Sequence, residues 1–263
     1  MTQPTPNFYV FHGSDEFTKA EKVADFRQQL GAPEIVDLNA IEFDGRKVTF
    51  GELRHACEAM PFLAEKRLVI VEGLLHRLQS EKGTFLEDLL ALLADLPKST
   101  RLVFLERKEL PSNHAVLKLA QKENRGYVRQ FEPPSSDALP RWIIQRVKMH
   151  GGEMTHVAAQ QLAQLVGDDL RLLNQEIIKL VTYANHGSAI TPDEIALLVP
   201  YAREAVIFDL VDALGHRDGR TATITLQSLL DAGQRAMGIF GMVVRQFRLL
   251  IQVKELREAG ENA

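Results

Sequence analysis

Cys57 is the only cysteine in 263 residues, which excludes an internal disulfide and any zinc module built on cysteines. The eight histidines include no His-x-x-x-His pair, so no metal site is expected and no cofactor is called for. No apolar run approaches the roughly 20 residues of a membrane span. The start, Met1-Thr2-Gln3-Pro4-Thr5-Pro6, has neither the basic region nor the apolar stretch of a secretory signal. A net charge of −4 argues against a general polyanion binder, so nucleic-acid contact would need a local patch. What remains is a cytoplasmic chain with no membrane partner. Its 45% hydrophobic content and its length suffice for more than one domain.

Patterning then divides the chain. Strands are expected at 8–11, 34–38, 68–71, 102–105 and 127–131, where β-branched and aromatic residues cluster. Between them, helical spacing runs from a Ser14 or Asp15 cap to about Leu30, over 49–60, over 84–96 and over 111–122. Strands alternating with helices predict a parallel sheet covered on both faces. Glu132-Pro133-Pro134-Ser135-Ser136 is a boundary, and after it no strand is convincing. Helices are expected at 139–150, 155–166 and from an Asp168 or Asp169 cap to Tyr183. Thr191-Pro192-Asp193-Glu194 is a compact helix start, and further helices follow near 204–215, 219–232 and 235–259. The fold class is thus α/β followed by all-α, over 1–133, 134–202 and 203–263.

A phosphate-binding loop would lie after the first strand of such a sheet, with glycines for close approach and a lysine for the phosphates. The loop here is His12-Gly13-Ser14-Asp15-Glu16-Phe17, with one glycine, no Lys-Ser/Thr pair and two carboxylates that would repel a triphosphate. At Val103-Phe104-Leu105-Glu106, where acids for Mg²⁺ would end a strand, Leu takes the first acid position. The reading is a nucleotide-binding fold without nucleotide chemistry, its acids capping and solvating helix ends. Gly13-Ser14 lacks the frame of a nucleophile elbow, and Cys57 reads as a core residue. Arg141, Arg146 and Lys148 flank Trp142, and Arg245, Arg248, Lys254 and Arg257 recur along the last helix. Such groups are usually solvated faces, but Arg141, Arg146, Lys148, Arg245 and Arg248 are also candidates for facing DNA.

The stretch from Glu58 to Val71 carries the sharpest signal. Leu53, Cys57 and Met60 share a helix face, Pro61 ends that helix, and Phe62 and Leu63 precede Glu65-Lys66-Arg67 and a strand. Local pattern alone leaves Phe62 and Leu63 either in the core or held out as an apolar tip.

The run Met60-Pro61-Phe62-Leu63-Ala64-x-x-Arg67-Leu68-Val69 resembles the segment of bacterial clamp-loader delta subunits, of DNA polymerase III, that wedges into the sliding clamp. In that family an adjacent Leu and Phe enter an apolar pocket of the clamp; here the order is Phe62-Leu63. Further runs are similar to the family in the right order: Phe8 to Phe17, Gly167 to Leu180, Ile190 to Ile195, Ile207 to Leu214 and Val244 to Leu250. The resemblance implies an AAA+-like α/β domain carrying the tip, a small helical lid domain and a helical collar domain. The collar is expected to be incomplete, because the family continues past Glu261-Asn262-Ala263. It also implies a subunit that is no enzyme by itself within a DNA polymerase holoenzyme. The subunit would bind and open the clamp (the beta subunit) without hydrolysing nucleotide, beside other clamp-loader subunits and primed DNA. Met60, Pro61, Phe62 and Leu63 would make the contact, with Glu65, Lys66 and Arg67 as a candidate rim. Burying Phe62 and Leu63 is expected to yield about 3–6 kcal/mol together. The alternatives are an AAA+-type ATPase or a DNA-binding regulator.

Overall fold

Phe8 and Val10 alternate with Tyr9 and Phe11 along β1 (Phe8–His12), so the strand serves two cores at once. Four further strands join it in parallel: β2 (Ala40–Asp44), β3 (Arg67–Glu72), β4 (Thr100–Leu105) and β5 (Gly126–Gln130). Their order is β2-β3-β4-β1-β5, with β1 between β4 and β5. Tyr9, Phe11, Leu68, Ile70 and Val103 pack on one face with Val23 and Phe26 of α1 (Glu16–Gln28). Phe8, Val10, Val69, Val71, Leu102 and Phe104 pack on the other face. There they meet α3 (Phe50–Glu58), α4 (Leu74–Ser80), α5 (Phe85–Ala94) and α6 (Ala115–Glu123).

The computed structural model describes residues 6–80, 83–123, 126–184, 189–231 and 236–258. Residues 1–5, which hold most of the start read as no secretory signal, and residues 259–263, where the collar is expected to break off, lie outside these. The chain forms two compact units, residues 1–133 and 134–263.

One expected strand is a helix. Residues 34–38 belong to α2 (Pro33–Asn39), and the strand follows immediately as Ala40–Asp44. Ile35-Val36 looks β-like, but Pro33 stands in the first turn after an extended Ala32, where its missing N–H costs nothing. The short α4 was not legible: only Gly73, with φ +75°, separates it from β3.

The second unit opens with α7 (Leu139–Met149), α8 (His156–Val166), α9 (Leu170–Ala184) and α10 (Pro192–Leu198), the last two starting at the expected caps. The Thr155 hydroxyl accepts from Ala158 N, and Asp169 Oδ1 accepts from Arg171 N and Leu172 N. Thr191 and Glu194 form a capping box. α11 (Pro200–Gly215), α12 (Gly219–Asp231) and α13 (Ala236–Glu258) enclose a small core of Ile207, Leu210, Ala213, Ala222, Leu229 and Ile239. Within α13, the segment Ala236–Arg257 is long and apolar enough by length and composition to cross a membrane, with mean hydropathy 1.3 over its best window. Arg245 and Arg248 interrupt it, which is why no continuous apolar run stands out.

Two buried histidines of the first unit act as hydrogen-bond acceptors. His12 Nδ1 accepts from Leu110 N at 3.3 Å, and His114 Nδ1 accepts from Val116 N at 3.2 Å. Both roles need the neutral ring, and burial pushes both below the ordinary value of 6.5. Below that pH the unfolded chain takes up protons that the folded chain refuses. Stability present above pH 6.5 is therefore lost as pH falls toward the folded values, by up to about 1.4 kcal/mol per pH unit for each histidine. Urea unfolding at stepped pH should show this slope. His114→Asn, which keeps an acceptor at the start of α6 and cannot titrate, should lower it.

Candidate functional site

The segment between α3 and β3 is pinned along its length. At its base the buried Thr100 hydroxyl donates to Cys57 O at 2.6 Å. At its far end Arg67 N donates to Ser99 O at 2.8 Å and Lys66 Nζ to Lys98 O at 3.2 Å. In the middle Asn39 grips the main chain of Phe62: its Oδ1 accepts from Phe62 N at 2.6 Å and its Nδ2 donates to Phe62 O at 2.7 Å.

The side chains in this frame point outward. Met60 is 86% exposed, Phe62 58% and Leu63 77%. Leu53 and Cys57, one helical period earlier, are fully buried. Met60 therefore does not continue their face, because the helix ends at Glu58 and Ala59 is already extended. Leu63 sits at φ +52°, a left-handed conformation that costs a residue with a β-carbon roughly 1–2 kcal/mol. Leu38, at the end of α2, adds a further exposed apolar residue that the sequence did not single out. Glu65 is exposed, while Lys66 and Arg67 are half-buried. Burial, then the nearby Arg101, lowers the Lys66 ammonium. Cys57 is inert: burial pushes its thiol up to about 12.

The loop after β1 is closed by its own chain. Asp15 is buried, and its Oδ1 accepts from Thr18 N at 2.9 Å, so the start of α1 already holds a carboxylate. A lysine is present where Gly-x-x-x-x-Gly-Lys-Ser/Thr would place it from Gly13, but Thr18 replaces the second glycine and Ala20 the hydroxyl residue. Lys19 is 4% exposed, and its Nζ donates to Gly13 O and Glu106 O, each at 2.7 Å. Burial holds its ammonium below the ordinary value. Glu106 is sealed too: Oε1 accepts from Leu75 N at 2.7 Å, and Oε2 meets His76 Nδ1 at 2.7 Å. Asp15 and Glu106 thus serve the starts of α1 and α4. Both are buried where the sequence suggested solvation, and Lys19 follows Gly13 at the spacing of a phosphate-loop lysine, just past the run His12 to Phe17.

The candidate DNA-facing residues separate. Arg141, Lys148, Arg245 and Arg248 are exposed. Arg146 is not: it is 8% exposed, lies over the Trp142 ring, and its Nε donates to Asn174 Oδ1 at 2.6 Å. Its place on the inner face of an amphipathic helix is what a count of basic residues misses.

Fold and site together define an α/β nucleotide-binding type of domain, P-loop and AAA+-like, whose phosphate position is filled by protein groups, followed by helices. The family model for the delta subunit of DNA polymerase III matches residues 9–128, and that for the delta subunit's C-terminal domain matches residues 204–263. Between them they cover more than half of the chain, which belongs to the DNA polymerase III delta-subunit family. Its role is that of a clamp-loader subunit in DNA replication. DNA polymerase III subunit delta of Bacillus subtilis is 25% identical over 256 residues, spanning 96% of this chain and 74% of that protein. The probable delta subunit of Aquifex aeolicus is 29% identical over 129 residues, spanning 49% of this chain and 37% of its own. The solved structure of the Bacillus subtilis DNA clamp loader delta protein superposes with a TM-score of 0.71 at 24% identity, covering 97% of this chain and 76% of the other, a likeness of fold.

Proposed function

We propose that this subunit binds the sliding clamp through Met60, Pro61, Phe62 and Leu63, and that it opens the ring without binding or hydrolysing nucleotide. The observation that carries this reading is the exposure of Phe62 and Leu63 on a segment whose backbone is pinned. Apolar side chains held in water on an ordered frame favour burial in a partner at little cost in ordering. Glu65, Lys66 and Arg67 would form the polar rim. Lys19, occupying the loop where phosphates would lie, supports a subunit whose clamp binding needs no ATP of its own. The second unit is read as a lid over 134–202 and a collar region over 203–263. The exposed apolar residues of α13, among them Met237, Phe240 and Leu250, would pack against other clamp-loader subunits in the cytoplasm. Arg141, Lys148, Arg245 and Arg248 would face primed DNA within that assembly.

Fluorophores placed across one clamp interface test the reading. Adding this chain without nucleotide should bind the ring and separate the pair, and calorimetry with ATP should show no binding heat. Absence of clamp binding, or ATP binding that governs it, would overturn the proposal.

A further inference from the structure

Asn39 is fully buried, and its amide is spent on the backbone of the tip. Its Nδ2 donates to Ile35 O at 2.8 Å and to Phe62 O at 2.7 Å, while its Oδ1 accepts from Phe62 N at 2.6 Å. The flipped amide would set its oxygen against two carbonyls, so the network fixes the orientation. One side chain thus satisfies both main-chain groups of Phe62, as a neighbouring strand would, and ties them to the last turn of α2. Phe62 is the residue before the left-handed Leu63, so a fixed Phe62 backbone also fixes the direction in which both apolar side chains leave the surface.

We infer that Asn39 is the positioning residue of the clamp-binding tip, holding Phe62 and Leu63 in their bound geometry before the clamp arrives. This rests on the clamp reading above. Pre-ordering a recognition segment raises affinity by removing the ordering cost from the binding step. Asn39→Ala should weaken clamp binding by about tenfold, the scale of one or two lost hydrogen bonds' worth of order. Asn39→Asp, which keeps an acceptor for Phe62 N but sets a carboxylate oxygen against the carbonyls of Ile35 and Phe62, should weaken binding at least as much as Asn39→Ala.

A double-mutant cycle separates positioning from general stability. In a Phe62→Ala, Leu63→Ala background, Asn39→Ala should add nothing further to the loss of clamp affinity. A merely structural role would add its full effect there. Hydrogen exchange on the unaltered chain gives a second measurement, independent of variant folding: the Phe62 amide should exchange at least tenfold more slowly than that of Leu63, which has no hydrogen-bond partner among the described residues. Equal exchange at Phe62 and Leu63, or wild-type clamp affinity in folded Asn39→Ala, overturns the inference. If the unaltered chain fails to bind the clamp, the clamp reading fails instead, and a protected Phe62 amide would show Asn39 holding a tip with another use.

Discussion

Phe62→Ala combined with Leu63→Ala is expected to weaken clamp binding by about 30- to 1,000-fold while leaving the fold intact. Full burial of two large apolar side chains would give about 3–6 kcal/mol. Phe62 is already partly covered and Leu63 less so, being 58% and 77% exposed. The surface still available to a partner reduces the gain to about 2–4 kcal/mol, which converts to that range of affinity. The cost to folding should be small, because exposed substitutions away from caps and networks usually stay within about 0.5 kcal/mol and this pair's backbone contacts survive. Asn39 binds the main chain of Phe62, which alanine retains. Titration of the variant against immobilised clamp, with its urea midpoint measured alongside, checks both halves. A variant that loses several kcal/mol of stability would show the pair to be core.

What could be read from the sequence follows from how far each signal reaches. Central strands announce themselves because burial on both faces demands apolar, β-branched runs, as in Leu68-Val69-Ile70-Val71. Asp169 and Thr191 also work locally, so those helix starts were legible. The edge strand β2 was not: Ile41 and Phe43 alternate with Glu42 and Asp44, but the run is short and partly charged, and the adjacent Ile35-Val36 in α2 drew the strand reading instead. The apolar tip came from a resemblance, since local pattern could not say whether Phe62 and Leu63 point in or out. That depends on Asn39, distant by 23 residues in the chain, and on one positive φ angle. Lys19 and Arg146 illustrate the same point for charge. Each is buried because carbonyl or amide oxygens from elsewhere in the fold meet it, and no spacing rule reports those partners.

Gly13→Ala should cost about 3–5 kcal/mol of stability, the sum of a strained backbone and a forced displacement of packed main chain. Gly13 has φ +112°, and a β-carbon there would lie 2.2 Å from Phe131 O. That carbonyl cannot simply retreat: it accepts from Asp15 N at 3.1 Å, while Phe131 N donates to His12 O at 2.7 Å. The glycine that a phosphate loop would use for approach to a nucleotide is thus used here for approach to the protein's own chain. Gly51 in α3 is the matched control, with open space around it and an ordinary helical position, so Gly51→Ala should gain about 0.5–1 kcal/mol. Urea unfolding of the two variants should therefore move in opposite directions. Were Gly13→Ala tolerated within about 1 kcal/mol, smaller than any strained-backbone cost, the loop would have slack enough to open. Closure by Phe131 and Lys19 would then no longer support the proposal that this subunit works without nucleotide of its own.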